Sequence, residues 1–154
     1  MDAFTLVWDF APVVKNKLLF LAIAAQMGVA IYGYSKMSAA RLKARSENRI
    51  VPNDYKALDS EPDDLRVYTR AVANQFEMPV LFYALVLAIL LAGSASWITV
   101  ALAWIYVALR FAHLREMITE NRVILRRRIF IRSTQTLLLL LLDFVIAVLF
   151  WAQV

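Results

Sequence analysis

The 154-residue sequence contains no cysteine, a single histidine and only 19% charged residues. The lack of cysteine excludes disulfides, thiolate metal ligands and a cysteine nucleophile. One histidine with scattered acids argues against a dedicated metal site. Soluble domains carry about 25% charged and roughly 45–50% apolar residues, whereas 62% of this chain is hydrophobic. The sequence therefore predicts a membrane protein that forms one unit over residues 1–154.

Four long apolar runs contain most of the hydrophobic residues. Each is near the roughly 20 residues that a membrane-spanning helix needs, and none alternates between apolar and polar residues as a strand does. Only helices and closed barrels satisfy the backbone inside a bilayer. The predicted fold is therefore an all-α membrane protein, a bundle of four transmembrane helices. The predicted spans cover about residues 15–36, 68–92, 97–114 and 132–152.

The positive charge is concentrated between these spans. Of the 17 lysines and arginines, eight lie in residues 36–70 and seven in residues 110–132, whereas the turn at residues 93–96 has none. By the positive-inside rule, the loops at about 37–66 and 115–131 lie in the cytoplasm and both termini lie outside. The net charge of +5 therefore reflects membrane topology and does not indicate a nucleic-acid partner.

The second span is predicted to begin in water and to bend as it enters the membrane. Ser60 offers an N-cap, with Asp63 three residues later and Pro62 near the helix start. A helix from there to Ala92 is about 50 Å long, which exceeds the hydrocarbon thickness of about 30 Å. Pro79 is expected to kink this helix because proline cannot donate a helical hydrogen bond.

Polar side chains from three spans fall in one layer at the predicted cytoplasmic ends. They share this depth because the second and fourth spans begin there and the third span ends there. The layer consists of Arg70, Asn74, Glu77, Arg110, His113, Arg132 and Ser133. The first three are spaced i, i+4 and i+7, which places them on one helix face. Ionisable groups inside a membrane are costly and are candidates for function.

The charges in this layer leave two interpretations open. In the first, Glu77 pairs with Arg110 and only ties two helices together. In the second, the layer binds a guest, which is favoured because four basic side chains around one carboxylate exceed what one ion pair needs. Arginine binds carboxylates with two parallel hydrogen bonds, glutamate holds an ammonium group, and a hydroxyl beside a guanidinium stabilises a thiolate. Glutathione, with two carboxylates, one amine and one thiol, fits this set. Phosphorylated lipids remain candidates.

Three motifs carry a resemblance to a known family. They are "RAVANQFEMPVLF" on the second span, "WIYVALRFAH" on the third and "FIRSTQT" on the fourth. In these motifs and their order, roughly residues 15–152 resemble the MAPEG family, the membrane-associated proteins in eicosanoid and glutathione metabolism, and look like a bacterial-type member. The resemblance implies a homotrimer of four-helix bundles in a bacterial inner membrane. Glutathione is then expected between neighbouring subunits, near the cytoplasmic helix ends.

The resemblance also implies roles for the polar layer. It implies glutathione binding by Arg70, Asn74, Glu77, Arg110 and His113, and catalysis by Arg132 and Ser133. The leading hypothesis is a glutathione-dependent transferase or peroxidase that acts on lipophilic electrophiles or lipid peroxides.

Two other hypotheses stay open. One is a non-catalytic MAPEG-like protein that binds a lipid or a partner membrane protein. It is favoured by Val72 and Ala73, where family members often have histidine or glutamine followed by a basic residue. It is also favoured by Met117 and Thr136, since family members often have tyrosine near these positions. The other is an unrelated small membrane subunit whose arginine-rich loops bind anionic lipids.

Asp143 lies about ten residues into the fourth span, which predicts a position near the bilayer centre. An acid at that depth is a functional candidate. The alternative is a protonated or hydrogen-bonded aspartate at the trimer axis or at a helix contact. The lack of a basic residue at the same depth in another span favours this alternative.

Overall fold

The computed structural model describes residues 3–51 and 61–150, with side chains described from residue 11 onward. Every regular element in these ranges is a helix. The helices are α1 (Ala3–Ser46), α2 (Asp63–Ala73), α3 (Met78–Leu91), α4 (Trp97–Ile118) and α5 (Val123–Phe150). Four stretches are long and apolar enough to cross a membrane, namely Ala11–Ser46, Asp63–Leu91, Trp97–Ile118 and Val123–Phe150. The predicted all-α fold with four spans is confirmed.

The first helix is longer than the first predicted span. α1 continues to Ser46, so the first residues of the loop predicted at 37–66 are helical. This stretch contains neither glycine nor proline and is rich in alanine, lysine and arginine, which favour helix. The extension packs against the start of α2, where Ala44, Ile50 and Leu65 form a small buried cluster.

Both basic segments lie at one end of the bundle, which we call the basic end. It contains the end of α1, the beginning of α2 and the turn between α4 and α5. Arg41 Nε donates to Glu61 Oε1 at 2.9 Å, and Arg49 Nη2 lies 2.9 Å from Asp64 Oδ2. These contacts tie the extension of α1 to the beginning of α2.

The start of α2 differs from the sequence prediction. Pro62 occupies the N-cap position and makes no side-chain capping hydrogen bond. Asp63 and Asp64 follow in the first turn, where negative charge interacts favourably with the helix dipole. Ser60, the predicted N-cap, lies outside the described residues.

The second span is interrupted rather than kinked. α2 ends at Ala73 and α3 begins at Met78, and residues 74–77 between them are not helical. The prediction of one continuous helix bent at Pro79 is therefore wrong. Pro79 lies in the first turn of α3, where its missing N–H leaves no helical bond unmade.

Helix α4 is the centre of the bundle and packs against α1, α2 and α5. Its buried face includes Ala103 and Leu114. Phe82 on α3 stacks on Tyr106 of α4 with ring centroids 4.6 Å apart. By contrast, α3 packs only sparsely against α5. The two helices therefore leave room for a groove between them.

Asp143 lies against the first turn of α4, at the end of the bundle opposite the basic end. Thr99 Oγ1 donates to Asp143 Oδ2 at 2.6 Å. Ser96 caps α4 by accepting from the backbone N–H of Thr99, in a reciprocal capping box. This contact confirms the predicted alternative of a hydrogen-bonded aspartate at a helix contact. The aspartate forms a hydrogen-bonded contact between α4 and α5.

Candidate functional site

A cavity of about 620 Å³ opens at the basic end between α2, α4 and α5. Small-molecule sites typically have volumes of about 300–1,000 Å³, so the cavity is large enough for a peptide-sized ligand. Its polar and charged lining residues are Arg70, Asn74, Glu77, His113, Asn121, Arg126 and Arg127.

Four of the seven predicted site residues lie in this lining. Arg70 is in the last turn of α2, Asn74 is the C-cap of that helix, and Glu77 immediately precedes α3. The interruption keeps all three at the same cavity. His113, which is buried on α4, faces them from the other wall.

Side chains hydrogen-bond backbone carbonyls around the interruption, and the Arg70 carbonyl also accepts the backbone N–H of Asn74 at 3.1 Å. Asn74 Nδ2 donates to the carbonyl of Arg70 at 3.0 Å. Gln75 Nε2 donates to the carbonyl of Ala71 at 3.4 Å. Arg110, which is fully buried on α4, donates from Nη2 to the carbonyl of Asn74. Carbonyls freed within a membrane span need such partners because the hydrocarbon offers none.

Arg110 therefore lies behind the cavity and is not part of its lining. Its Nε and Nη1 atoms have no hydrogen-bond partner among the described residues, and no ion pair joins Arg110 to Glu77 there. Through the Asn74 carbonyl, Arg110 instead fixes the backbone between Arg70 and Glu77.

A second buried amide side chain, that of Gln26, contacts a residue of the same interruption. Gln26 Nε2 on α1 donates to Gln75 Oε1 at 3.3 Å, and both side chains are buried. This pair was not predicted from the sequence. The available signal was the position of Gln26, an amide in the middle of the first apolar run.

Three charged groups of the lining are unpaired within the part of the chain that the structure describes. The guanidinium groups of Arg70 and Arg127 make no hydrogen bond or ion pair with another described side chain, and neither does the carboxylate of Glu77. Charged groups at a membrane boundary are costly unless water or a ligand solvates them. The cavity therefore offers both anion-binding groups and one cation-binding group.

Arg126 and Arg127 were missed as site residues because they fell in the loop predicted at 115–131. In the structure only residues 119–122 separate α4 from α5, so the arginine run is helical. Arg126 lies one turn before Phe130, and both line the cavity. Their i, i+4 spacing in the sequence was the signal that could have placed them on one face.

The predicted catalytic pair lies outside this cavity within one chain. Arg132 is exposed on α5. Ser133 is buried, and its Oγ donates to the carbonyl of Phe130 at 2.8 Å, within its own helix. Neither residue lines the cavity. One chain therefore does not bring Arg132 and Ser133 together with Glu77.

An apolar groove of about 450 Å³ lies between α3 and α5. It begins at Met78, the residue after Glu77, and at Thr134, one turn beyond Phe130. The groove thus starts where the polar cavity ends. Its other lining residues are Leu81, Ala84, Leu85, Leu137, Leu138 and Leu141.

Comparison with known proteins gives one match. A model described as MAPEG family matches residues 19–146, which include α2, α3, α4 and all residues lining the two cavities. No curated protein and no solved structure matches the chain. Among the described residues, no group of three or more acidic or histidine side chains is placed to hold a metal ion.

Proposed function

The chain belongs to the MAPEG family, and from this premise we propose that the cavity at its basic end binds glutathione. The family includes glutathione-dependent transferases and peroxidases as well as non-catalytic members. The observation that carries the proposal is the unpaired Glu77 carboxylate facing unpaired guanidinium groups in one cavity.

The amine, a carboxylate and the peptide backbone of glutathione have chemically matched partners in the lining. The Glu77 carboxylate binds the amine, and the Arg70 guanidinium binds a carboxylate. The Asn74 amide both donates and accepts hydrogen bonds and suits the peptide backbone of the ligand. Arg110 contributes by fixing the Asn74 backbone, and His113 closes the wall on α4.

We further propose that the molecule is a homotrimer in which Arg132 reaches the cavity of a neighbouring subunit. Arg132 is exposed and outside its own cavity, so it can act on glutathione only across a subunit interface. A guanidinium beside a thiol lowers the thiol pKa. Ser133, the predicted hydroxyl partner, would have to exchange its bond to the Phe130 carbonyl for one to sulfur.

The second substrate is a lipophilic molecule from the bilayer. The apolar groove between α3 and α5 supports this choice, because it begins at Met78, the residue after Glu77, and is lined almost wholly by apolar side chains. In transfer, the thiolate sulfur forms a bond to an electrophilic carbon, and the thiol proton goes to the leaving group or to the adduct. In peroxide reduction, two glutathione molecules are oxidised to the disulfide while the hydroperoxide becomes an alcohol and water.

One observation favours a second function, ligand binding without catalysis. Ser133 is engaged with its own helix backbone, and its side chain is fully buried. If no neighbouring subunit brings Arg132 to the thiol, the cavity holds glutathione or a lipid without activating sulfur.

We propose the following topology for both functions. The whole chain, residues 1–154, forms one domain that crosses a bacterial inner membrane four times. The basic segments at about 37–66 and 115–131 face the cytoplasm, where glutathione is abundant, and both termini lie outside. The unequal distribution of lysine and arginine supports this orientation.

Titration of the purified protein in nanodiscs with glutathione tests the proposal, with heat reporting binding and ultraviolet absorbance reporting thiolate. Glu77→Gln is expected to weaken binding about tenfold or more, since hydrogen bonds to charged groups contribute about 1.5–3 kcal/mol. Arg128→Gln, which changes an exposed arginine outside the cavity, is the matched control.

The possible results separate the two functions. Binding with thiolate formation that Arg132→Ala abolishes supports the enzyme. Binding without thiolate in the unmodified protein supports the ligand-binding function. Failure to bind millimolar glutathione refutes both glutathione proposals and leaves a lipid or a membrane protein as the partner.

A further inference from the structure

Exposed aromatic side chains lie at one depth near the basic end of the bundle. The rings of Tyr32 on α1 and Phe111 on α4 have centroids 5.9 Å apart. On a different face of α1, the rings of Tyr34 and Phe76 are also 5.9 Å apart, and all four residues are at least 36% exposed. Aromatic rings in membrane proteins concentrate where the hydrocarbon meets the lipid headgroups. These four rings therefore mark the boundary of the hydrocarbon at the basic end.

Two exposed cations lie one helical turn beyond the Tyr32–Phe111 pair. Lys36 and Arg115 each follow the aromatic residue of their own helix by four positions, and α1 and α4 both end at the basic end. Each cation is therefore about 5.4 Å nearer to that end and on the same helix face as its ring. Lys36 Nζ lies 5.2 Å from the centre of the Tyr32 ring. We call Tyr32, Lys36, Phe111 and Arg115 the boundary patch.

No acid of the described chain neutralises the two cations of the boundary patch. The side chains of Lys36 and Arg115 make no hydrogen bond or ion pair with another described residue. The acids nearest to Arg115 in the sequence are Glu116 and Glu120, and Arg122 Nε lies 2.9 Å and 3.0 Å from their carboxylates. No acidic residue of α1 lies within two turns of Lys36. The patch is therefore complementary to an anion from outside the chain.

The surface on the hydrocarbon side of the two rings is apolar. It continues with Gly28 on α1 and with Ala108 and Trp104 on α4, which are all exposed. A ligand that covers the whole surface must therefore have an anionic end at the depth of the cations and an apolar part that extends below the rings. A phospholipid has both parts, and its phosphate lies just beyond the hydrocarbon boundary.

We propose that the boundary patch binds one anionic phospholipid, with the phosphate between Lys36 and Arg115 and an acyl chain along the surface below the rings. Arginine offers paired donors to a phosphate, and the cation–π contact with Tyr32 keeps the Lys36 ammonium on this side of α1. Two cations favour a lipid with net negative charge over one whose headgroup also carries an ammonium group. The patch lines neither cavity, so this inference is independent of the proposed glutathione function.

Native mass spectrometry of the full chain in detergent tests the site, with dioleoylphosphatidylglycerol and dioleoylphosphatidylcholine as competing lipids. The two lipids have the same acyl chains and differ in headgroup charge. The unmodified protein is expected to retain phosphatidylglycerol in preference, at one molecule per chain. Lys36→Gln and Arg115→Gln should each weaken its binding about fivefold. Arg45→Gln, which removes an exposed cation of α1 outside the patch, should change it less than about twofold.

A variant of the aromatic pair separates the apolar part of the site from the charged part. Phe111→Leu keeps an apolar side chain at an exposed position and removes the ring that contacts Tyr32. It should weaken both lipids by a similar factor of about two- to tenfold and leave the preference for phosphatidylglycerol intact. The double variant Lys36→Gln/Arg115→Gln should abolish that preference. Loss of the preference in Phe111→Leu alone would contradict the assignment of the phosphate to the two cations.

Two results would refute the lipid site. One is equal retention of the two lipids by the unmodified protein, and the other is an effect of Lys36→Gln and Arg115→Gln no larger than that of Arg45→Gln. The same spectra report the number of chains per particle. If the patch variants lower that number without changing the lipid bound per chain, the patch is an interface between copies of the chain. Glutathione binding should be unchanged in both patch variants, so failure of the lipid site leaves the proposed function standing.

Discussion

Several polar side chains in the membrane spans of this chain form hydrogen bonds to backbone carbonyls within the protein. Arg110 is an example, since its one hydrogen bond goes to the carbonyl of Asn74. Asn74 itself bonds the carbonyl of Arg70. A side chain that binds a released carbonyl also fixes the direction of the chain beyond it. The residues that cap the interruption thereby determine where Glu77 points.

The Gln26–Gln75 pair allows this idea to be tested away from the ligand. Gln26→Leu is expected to lower the free energy of unfolding by roughly 0.5–2 kcal/mol, because Gln75 Oε1 loses its donor in a buried site. Gln135→Leu makes the same chemical change at an exposed position of α5. Its effect on unfolding in detergent should be close to zero. Equal destabilisation by both variants would contradict a specific role for the pair.

At the level of the helices, the interruption of the second span is the feature that sequence reasoning did not find. Pro79 signalled a local defect and did predict that the helix is disturbed near Glu77. The actual break begins at Asn74 and is held by Arg110 and Gln26, which belong to other helices. A contact between residues this far apart in the chain has no local signature.

Only part of the candidate site could be predicted, because only some of its residues follow a local sequence pattern. Arg70, Asn74 and Glu77 follow one helical spacing, and this local pattern identified the wall of the cavity that they form. The opposite wall depended on where α5 begins. Because Arg126 was assigned to a loop instead of a helix, its approach to the cavity could not be predicted.

The contact between α4 and α5 at the end opposite the cavity gives a test at this level. Thr99→Val keeps the shape of the side chain but removes the donor to Asp143 and one half of the capping box. We expect the variant to unfold in detergent with about 1–3 kcal/mol less stability. Thr99→Ser, which retains the hydroxyl, should recover most of that loss. Because Thr99 is far from the cavity, glutathione affinity should stay unchanged in both variants.

At the level of the whole molecule, the proposed trimer and the position of Arg132 together predict a site built from two chains. Within a single chain the cavity has its own arginines, Arg126 and Arg127, while Arg132 lies outside on the exposed side of α5. Arg126 and Arg127 therefore line the same cavity as Glu77 of their own chain, whereas Arg132 does not. In the proposed homotrimer, Arg126 acts on the cavity of its own subunit and Arg132 acts on that of a neighbour.

Co-assembly of differently tagged variants distinguishes a residue that acts within its own subunit from one that acts across a subunit interface. In a mixed trimer of Glu77→Gln and Arg132→Ala subunits, about one cavity in three combines an intact Glu77 with an intact Arg132 from the next subunit around a cyclic interface. Thiolate formation with glutathione should therefore return in tandem-purified mixed trimers, although each variant alone is inactive. Mixed trimers of Glu77→Gln and Arg126→Gln should stay inactive, because every cavity carries one of the two defects. Recovery in the second mixture would place Arg126 across the interface, and no recovery in the first would remove Arg132 from the reaction.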